Sequence, residues 1–566
     1  MTSPVVEWQW NEGFVGTDIQ MVTQDTYEGL IASGSAIRLN TLNFDVQSHI
    51  MSFLPPADLS ALMRTCQQFV DIALLPLCAC SKTPLKTAEQ ILSFLRFLRL
   101  DRPSTSRASF IKELNFRLEE YRAPLSKASY FNLHDADPAT CYAVPETHTF
   151  MDEQLLRATR NGALEAFLSI LQHCTNIQRI QVDKWFEDVP MAPLYRAIAA
   201  LSKLEDLRMP MLPRSQWGTD VHLAQLPLRK LVLRPGRWFE IPEMLTALQP
   251  LAETLNELDV PVCQWVAPGM AFPHVRKLGI EFPASKDVVN ALVRTFPHLT
   301  HLFLRGTRNF HLCHTHSSRQ DEDRLREYSQ YQWHSLTGSW PPLITVGAET
   351  PCALYTLGLP FHVSRMSVTS SAGDPAGDML STILTDAHPT CLEMRVTQVH
   401  YKYEPRPPRF SGLEPGDATA SLQRFVLTME GDGIPDYAKV SVLLIDELQR
   451  SLASLSVTHV LLKYSIDHFR ASRHYTRKVV RTICAEAPTR ATALAQAVPS
   501  LRWIGVYVRV KAGPTWLYCW EVSRLTERAQ GFVLSPPPSV RLKEMGEDEG
   551  WDVLAAEEMD ELARAD

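Results

Sequence analysis

Along most of the 566-residue chain one short pattern of apolar and polar positions keeps returning. An apolar residue is followed by two variable positions, a second apolar residue, one variable position and a third apolar residue. It occurs at Ile111, Leu114 and Phe116, and again at Ile177, Ile180 and Val182. It returns at Leu204, Leu228, Leu255, Val275 and Leu299, then more distantly at Leu354, Leu422, Val457 and Leu501. Residues two apart on a strand point to the same side, so the second and third apolar positions fall on one face. Stretches with helical spacing lie between copies: Leu164 to Cys174, Leu194 to Leu201, Met244 to Leu255 and Val288 to Phe296. Pro297 ends the last of these just before the next strand.

From Ile177 to Leu299 the copies begin 27, 24, 27, 20 and 24 residues apart. That is the period of leucine-rich repeats, whose units run about 20–29 residues. The fold class expected is α/β: an irregular solenoid with parallel strands on a concave face and helices outside. A single unit cannot bury its own apolar face, so the units must stack. The variable positions beside each strand's central apolar residue should then line the concave face. Arg208, Lys230, Arg234, Asp259, Phe303 and Arg305 are the candidate partner-facing residues there, with Trp503 and Tyr507 extending the row. Asp206, Glu257, Lys277, Glu281 and His301 share it. The array is expected over 83–535, with long insertions at 119–150, 306–350 and 400–418.

The N-terminal part follows a different pattern. Residues 1–37 show none. Val46, Ile50, Phe53 and Leu54 share one helical face, and Pro55-Pro56 ends that helix. Asp58 is suited to cap a second helix carrying Leu59, Leu62, Met63 and Cys66. Together with the leading Leu42 and with Asp45, Thr65 and Phe69, the segment 38–82 resembles the F-box. It departs from that family at Asn43, where proline is usual, and at Gln47, where an apolar residue is usual. The resemblance implies a small helical module that docks the SCF adaptor and through it a cullin–RING ubiquitin ligase. Leu42, Val46, Ile50, Phe53, Leu54, Pro56, Leu59, Leu62 and Cys66 would form the adaptor-facing set. The repeat body would hold a protein substrate, and the chain itself would be no enzyme. An interaction scaffold without a ligase is the alternative.

Composition bears on which partners to expect. Apolar residues make up 45% and charged residues 21%, which is ordinary globular usage. The net charge of −7 gives no basic footprint for nucleic acid. Ten carboxylates and one arginine between Glu544 and Asp566 place −9 in the tail, expected over 536–566 and disordered when free. The remainder is then about +2, and a basic helix stripe at Arg470, Arg473, Arg477 and Arg481 offers the tail a possible dock. Eleven cysteines without paired spacing do not form a disulfide framework. With no leader and no long apolar run at sequence level, cytosol or nucleus is the expected compartment. His311, Cys313, His314 and His316 are too tightly spaced for the usual zinc pairs and read as a loop. No phosphate-binding or nucleophile motif is found, and no cofactor, metal or membrane is expected.

Overall fold

The apolar triplets become strands of one sheet. In the computed structural model fifteen strands lie side by side in chain order. The structure describes residues 44–52, 84–99, 107–117, 161–184, 192–210, 222–234, 248–260, 270–281, 287–306, 319–336, 340–371, 377–397, 415–431, 437–466, 473–510, 515–525 and 539–556, with positions 54, 62, 72, 245, 410, 412, 413 and 559. The strands are β1 (Glu113–Arg117), β2 (Arg179–Lys184), β3 (Asp206–Pro210), β4 (Lys230–Arg234), β5 (Glu257–Val260), β6 (Lys277–Glu281), β7 (His301–Arg305) and β8 (Thr345–Ala348). They continue as β9 (Arg365–Ser371), β10 (Cys391–Thr397), β11 (Arg424–Gly431), β12 (His459–Ile466), β13 (Trp503–Val510), β14 (Thr515–Leu525) and β15 (Ser539–Met545). Neighbours from β1 to β13 pair in parallel, and β13, β14 and β15 pair antiparallel. The helices described are α1 (Phe44–Ser52), α2 (Ala88–Arg99), α3 (161–173), α4 (Ala192–Ala199), α5 (Val288–Thr295) and α6 (Arg319–Ser335). After them come α7 (Pro351–Leu357), α8 (Gly377–Ala387), α9 (Tyr437–Leu452), α10 (Arg473–Ala497) and α11 (Glu547–Ala556).

One face of the sheet carries the second and third apolar positions of each unit. Leu207, Leu231, Leu258, Leu278, Leu302, Phe425, Val460 and Ile504 meet Ile170, Leu194, Leu292, Leu384, Leu448 and Ile483 from the helices in one continuous core. Each such side chain, fully buried, contributes roughly 1.5–3 kcal/mol. Because every strand touches only its chain neighbours, the core propagates from unit to unit.

A second, backbone-only device fixes the spacing. The carbonyl at the second position of each unit accepts amides from the next unit. Gln178 O takes the N–H groups of Glu205 and Asp206 at 2.9 and 3.0 Å, and Glu205 O takes those of Arg229 and Lys230 at 2.8 and 2.9 Å. The ladder runs on through Arg229, Asn256, Arg276 and Thr300, and near the end through Thr390, Gln423 and Thr458. Where the second position is threonine, its hydroxyl adds a further donor to the same carbonyl. Thr300, Thr390 and Thr458 bond Arg276 O, Ser364 O and Gln423 O at 3.1, 2.9 and 3.1 Å.

Several expectations are corrected. The triplet at Leu354, Leu357 and Leu359 is not a strand: Leu354 and Leu357 belong to the buried helix α7. Pro351 opens that helix, where its missing N–H costs nothing, and Gly358, at φ 57°, closes it. The region 306–350 is not simply an insertion, since 319–335 is helical and 345–348 is β8 in register with the sheet. Strands β9 and β10 follow, where no strand was expected. The acidic tail is ordered over its described part, because Leu554 and Met559 find an apolar patch to bury in. The described part of the tail lies away from the basic stripe: α10 packs in the main core, whereas α11 packs on the other face of the sheet. Residues 1–43, 119–150, 311–316, Phe53, Pro56, Leu59, Cys66 and Arg470 lie outside the described residues, as does most of 400–418.

Polar anchors hold α6, a helix with few apolar residues. Arg326 is buried, donates to Tyr355 O at 3.1 Å, pairs with Asp386 and lies 4.8 Å from the Tyr355 ring centre. Trp333 Nε1 donates to Leu357 O at 2.9 Å, and Tyr355 OH donates to Asp323 at 2.7 Å. At the far end of the sheet Arg524 donates to the carbonyls of Ala495, Val498 and Leu501 at 2.7–2.9 Å, satisfying the C-terminus of α10. Arg326→Ala leaves Asp386 without its cation and is expected to weaken the attachment of α6 by about 3 kcal/mol. Hydrogen exchange checks this: protection should fall over 319–335 and stay unchanged over β11–β13.

Candidate interaction surface

Two surfaces matter: the outward side of α1 and the face of the sheet turned away from the main core. On α1, Gln47 and Met51 stand one turn apart and are both 0% exposed. Val46 is 43% exposed, and Ile50 and Leu54 are half-buried. The helix therefore has a buried side and a partly open apolar stripe at Val46 and Ile50, which Leu54 continues just past its end. Leu62, also in the expected adaptor-facing set, is half-buried and helical.

The second face divides into three zones. Over β1–β6 the first row alternates in sign: Glu113, Arg179, Asp206, Lys230, Glu257 and Lys277 stand in register. Arg179 bridges Glu113 and Asp206 at 3.0 Å each, and Lys230 pairs with Glu257. Arg208 lies 3.5 Å from Asp206, and Arg234 reaches Asp183 at 3.2 Å. Opposite charges side by side on neighbouring strands contribute roughly 0.2–1 kcal/mol each. Asp206, expected to be exposed, is buried because two guanidiniums cover it.

The middle zone is set by glycines. The second row reads Asp259, Gly279, Phe303, Gly347 and Ser367 across β5–β9. A Cβ at Gly279 would stand 2.4 Å from Asp259 Oδ1, and one at Gly347 would stand 2.6 Å from the Phe303 ring. Each glycine leaves room for its neighbour's side chain to lie flat. Asp259 thereby reaches across β6 to pair with Arg305 on β7. Glu281 stands in register with Arg305 and is buried. Glu349 accepts from the Gly306 N–H at 3.0 Å. Burial holds both Asp259 and Glu349 above the usual carboxylate range, against the opposing pull of Arg305. Asp259 Oδ1 and Arg305 Nη1 have no partner among the described residues. Next to this centre Glu393, 1% exposed, accepts from Ser367, Thr428 and Arg395 at 2.8–3.0 Å.

The last zone is apolar and covered. Val426, Leu461, Trp503, Tyr507, Leu517 and Cys519 form a cluster separate from the main core, under Leu554 and Met559 of the tail. Trp503 and Tyr507 are therefore not the exposed row-ends expected: they are 3% and 5% exposed. Alternation does place them on the predicted face, but the chain's own C-terminal helix lies over them. The Tyr507 and Trp551 rings meet edge-on at 5.9 Å. Gly550 brings α11 down onto β14, where a Cβ would stand 2.5 Å from Cys519 Sγ. Burial and the nearby Glu547 push the Cys519 thiol up to about 12, so this cysteine is no nucleophile at neutral pH.

The remaining expected residues are brought together. Arg208, Lys230, Asp259, Phe303 and Arg305 are half-buried and Arg234 is exposed, all on β3–β7 of this face. Glu349 and Glu393 went unread in the sequence. A glycine at the fifth position of a unit, as at Gly279, Gly347 and Gly505, was the available signal. Among the described residues no group of three His, Cys, Asp or Glu could hold a metal ion, and no helix is long and apolar enough to cross a membrane. No protein-family model and no curated protein matches the chain.

The raised Asp259 value has a pH consequence. The folded chain binds that proton more tightly than the unfolded chain, so stability is lost as pH rises through the raised value. Asp259→Asn removes this loss. Relative to wild type, the variant should gain stability between about pH 4 and pH 7. Urea denaturation at both pH values checks it; an unchanged or opposite difference contradicts the assignment.

Proposed function

We propose that the chain is the substrate-recognition subunit of an SCF-type cullin–RING ubiquitin ligase, acting in the cytosol or nucleus. The N-terminal segment 38–82 would be its F-box, and the strand array its leucine-rich-repeat receptor domain. The observation that carries this is the α1 stripe. Val46, Ile50 and Leu54 keep an apolar surface partly open, while Gln47 points inward. Gln47, one of the two departures from the F-box pattern, thus lies away from the stripe assigned to the adaptor. A partly open apolar stripe on a short helix is the kind of surface a protein partner covers.

The sheet face supports the second half of the reading. Arg208, Phe303 and Arg305 combine an aromatic residue with guanidiniums on a rigid floor, the usual make-up of interface anchors. The substrate would lie there, and ubiquitin transfer would be supplied in trans by proximity. The chain itself does no bond chemistry in this scheme.

Capture of the SCF adaptor by the full chain tests the reading, beside an Ile50→Asp/Leu59→Asp variant. Wild type should bind, and the variant should lose at least about 100-fold in affinity, since two apolar anchors become charges. Circular dichroism should show both folded. A folded wild type that captures no adaptor overturns the proposal and leaves an interaction scaffold without a ligase.

A further inference from the structure

The apolar patch on β11–β14 has features that the rest of the sheet face lacks. Elsewhere charged and polar residues predominate on this face, with Val232 and Phe303 as apolar exceptions; here Val426, Leu461, Trp503, Tyr507, Leu517 and Cys519 are all buried together. What buries them is a short acidic helix. Glu547, Asp548, Glu549 and Asp552 are exposed on α11, Gly550 and Leu554 are buried against the sheet, and Met559 follows. Basic groups border the patch on the same face. Arg424 and His459 share the row of Trp503, and Arg509 stands two residues beyond Tyr507. Glu521, on the same row, is paired with Lys543 at 3.5 Å. The patch thus presents a mainly apolar floor, with the buried Lys463 in register beside Tyr507, and a rim in which Arg424, His459 and Arg509 outnumber Glu430, under a helix that is apolar below and acidic above.

Among the described residues of the tail, Leu554 and Met559, at 0% and 1% exposure, are the fully buried apolar side chains, while Trp551 and Val553 are half-buried. A helix of this length is marginal in water without its support. Gly546 alone separates it from β15, so it is tethered directly beside the patch. Such a tether gives the segment a high effective concentration over the patch without strong contacts.

We propose that this patch is a docking groove for an acidic amphipathic helix of a partner protein, and that α11 is its resident competitor. The partner helix would carry a bulky aromatic residue, a leucine one turn on and a further apolar residue beyond, as Trp551, Leu554 and Met559 do. This extends the reading of the sheet face as protein-binding and does not depend on the adaptor.

The test uses a fluorescent peptide of residues 546–566 as probe, titrated against the full chain in three forms. Wild type keeps its resident helix. Gly550→Val drives a side chain into Cys519, and Leu554→Asp places a charge in the patch; either lifts α11 while leaving the sheet's own residues intact. The peptide should bind each variant at least ten-fold more tightly than wild type, because the cis competitor is gone. A peptide with Trp551→Ala and Leu554→Ala should not bind. Hydrogen exchange over 503–510 and 515–525 should report protection restored by the peptide. Equal affinity for all three forms, or no binding to variants whose exchange over β11–β13 is native-like, overturns the proposal. Adaptor capture by the same variants should be unchanged, since α1 is untouched, so this failure and that of the ligase reading are read separately.

Discussion

The structure depends on one backbone interaction: the carbonyl at the second position of a unit, which receives one or, in most units, two amides from the unit that follows. It fixes the separation and direction of successive strands without using any side chain. A unit therefore has to supply only an apolar triplet and this carbonyl to join the sheet. What lies between can vary widely. β1 and β2 pair in parallel although residues 118–178 separate them, and Lys112 O still receives the amides of Gln178 and Arg179. Similarly, β7 and β8 pair across the stretch that contains α6. A ladder this local tolerates long excursions because the closure entropy of a loop grows only slowly with its length.

With the spacing fixed by the backbone, side chains on the face away from the core are free to differ from zone to zone. Charge alternation suits the first strands, where each side chain has an opposite neighbour in register. Farther along, fifth-position glycines let Asp259, Phe303 and Trp503 lie along the sheet instead of standing up from it. The floor is consequently flattest where its chemistry is most mixed. Near the end the row becomes apolar, and the chain turns back to cover it.

The strands were legible because their apolar triplets match the two-residue alternation of a sheet. The same triplet fits one side of a helix, which is why Leu354 and Leu357 misled; Pro351 and Gly358 at the helix ends were the deciding signals. Leu343, Val346 and Ala348 also fit the pattern, but they lay within a stretch taken for an insertion, and β8 went unseen. The side on which Trp503 and Tyr507 stand was readable from alternation. Their burial was not, because it is produced by Leu554 and Met559, distant in sequence and embedded among carboxylates. The polar attachment of α6 was equally hidden: Arg326 and Glu322 look like solvent-facing residues until Tyr355 and Cys352 are placed beside them.

The antiparallel turn at β14 and β15 has a consequence for the molecule in a crowded solution. A sheet built by adding similar parallel units ends in a bare strand edge, and that edge is a template on which another molecule could continue the series. Here β14 runs against the array, and β15, the outermost strand, returns to the direction of the array, so the edge is formed by a hairpin strand instead of another strand–helix unit. That edge also carries Arg541, Lys543 and Glu544, all exposed, which set charge along its length. Charged side chains on an edge strand discourage end-to-end growth. The charge on the closing hairpin thus works against linear polymerisation of the array into filaments.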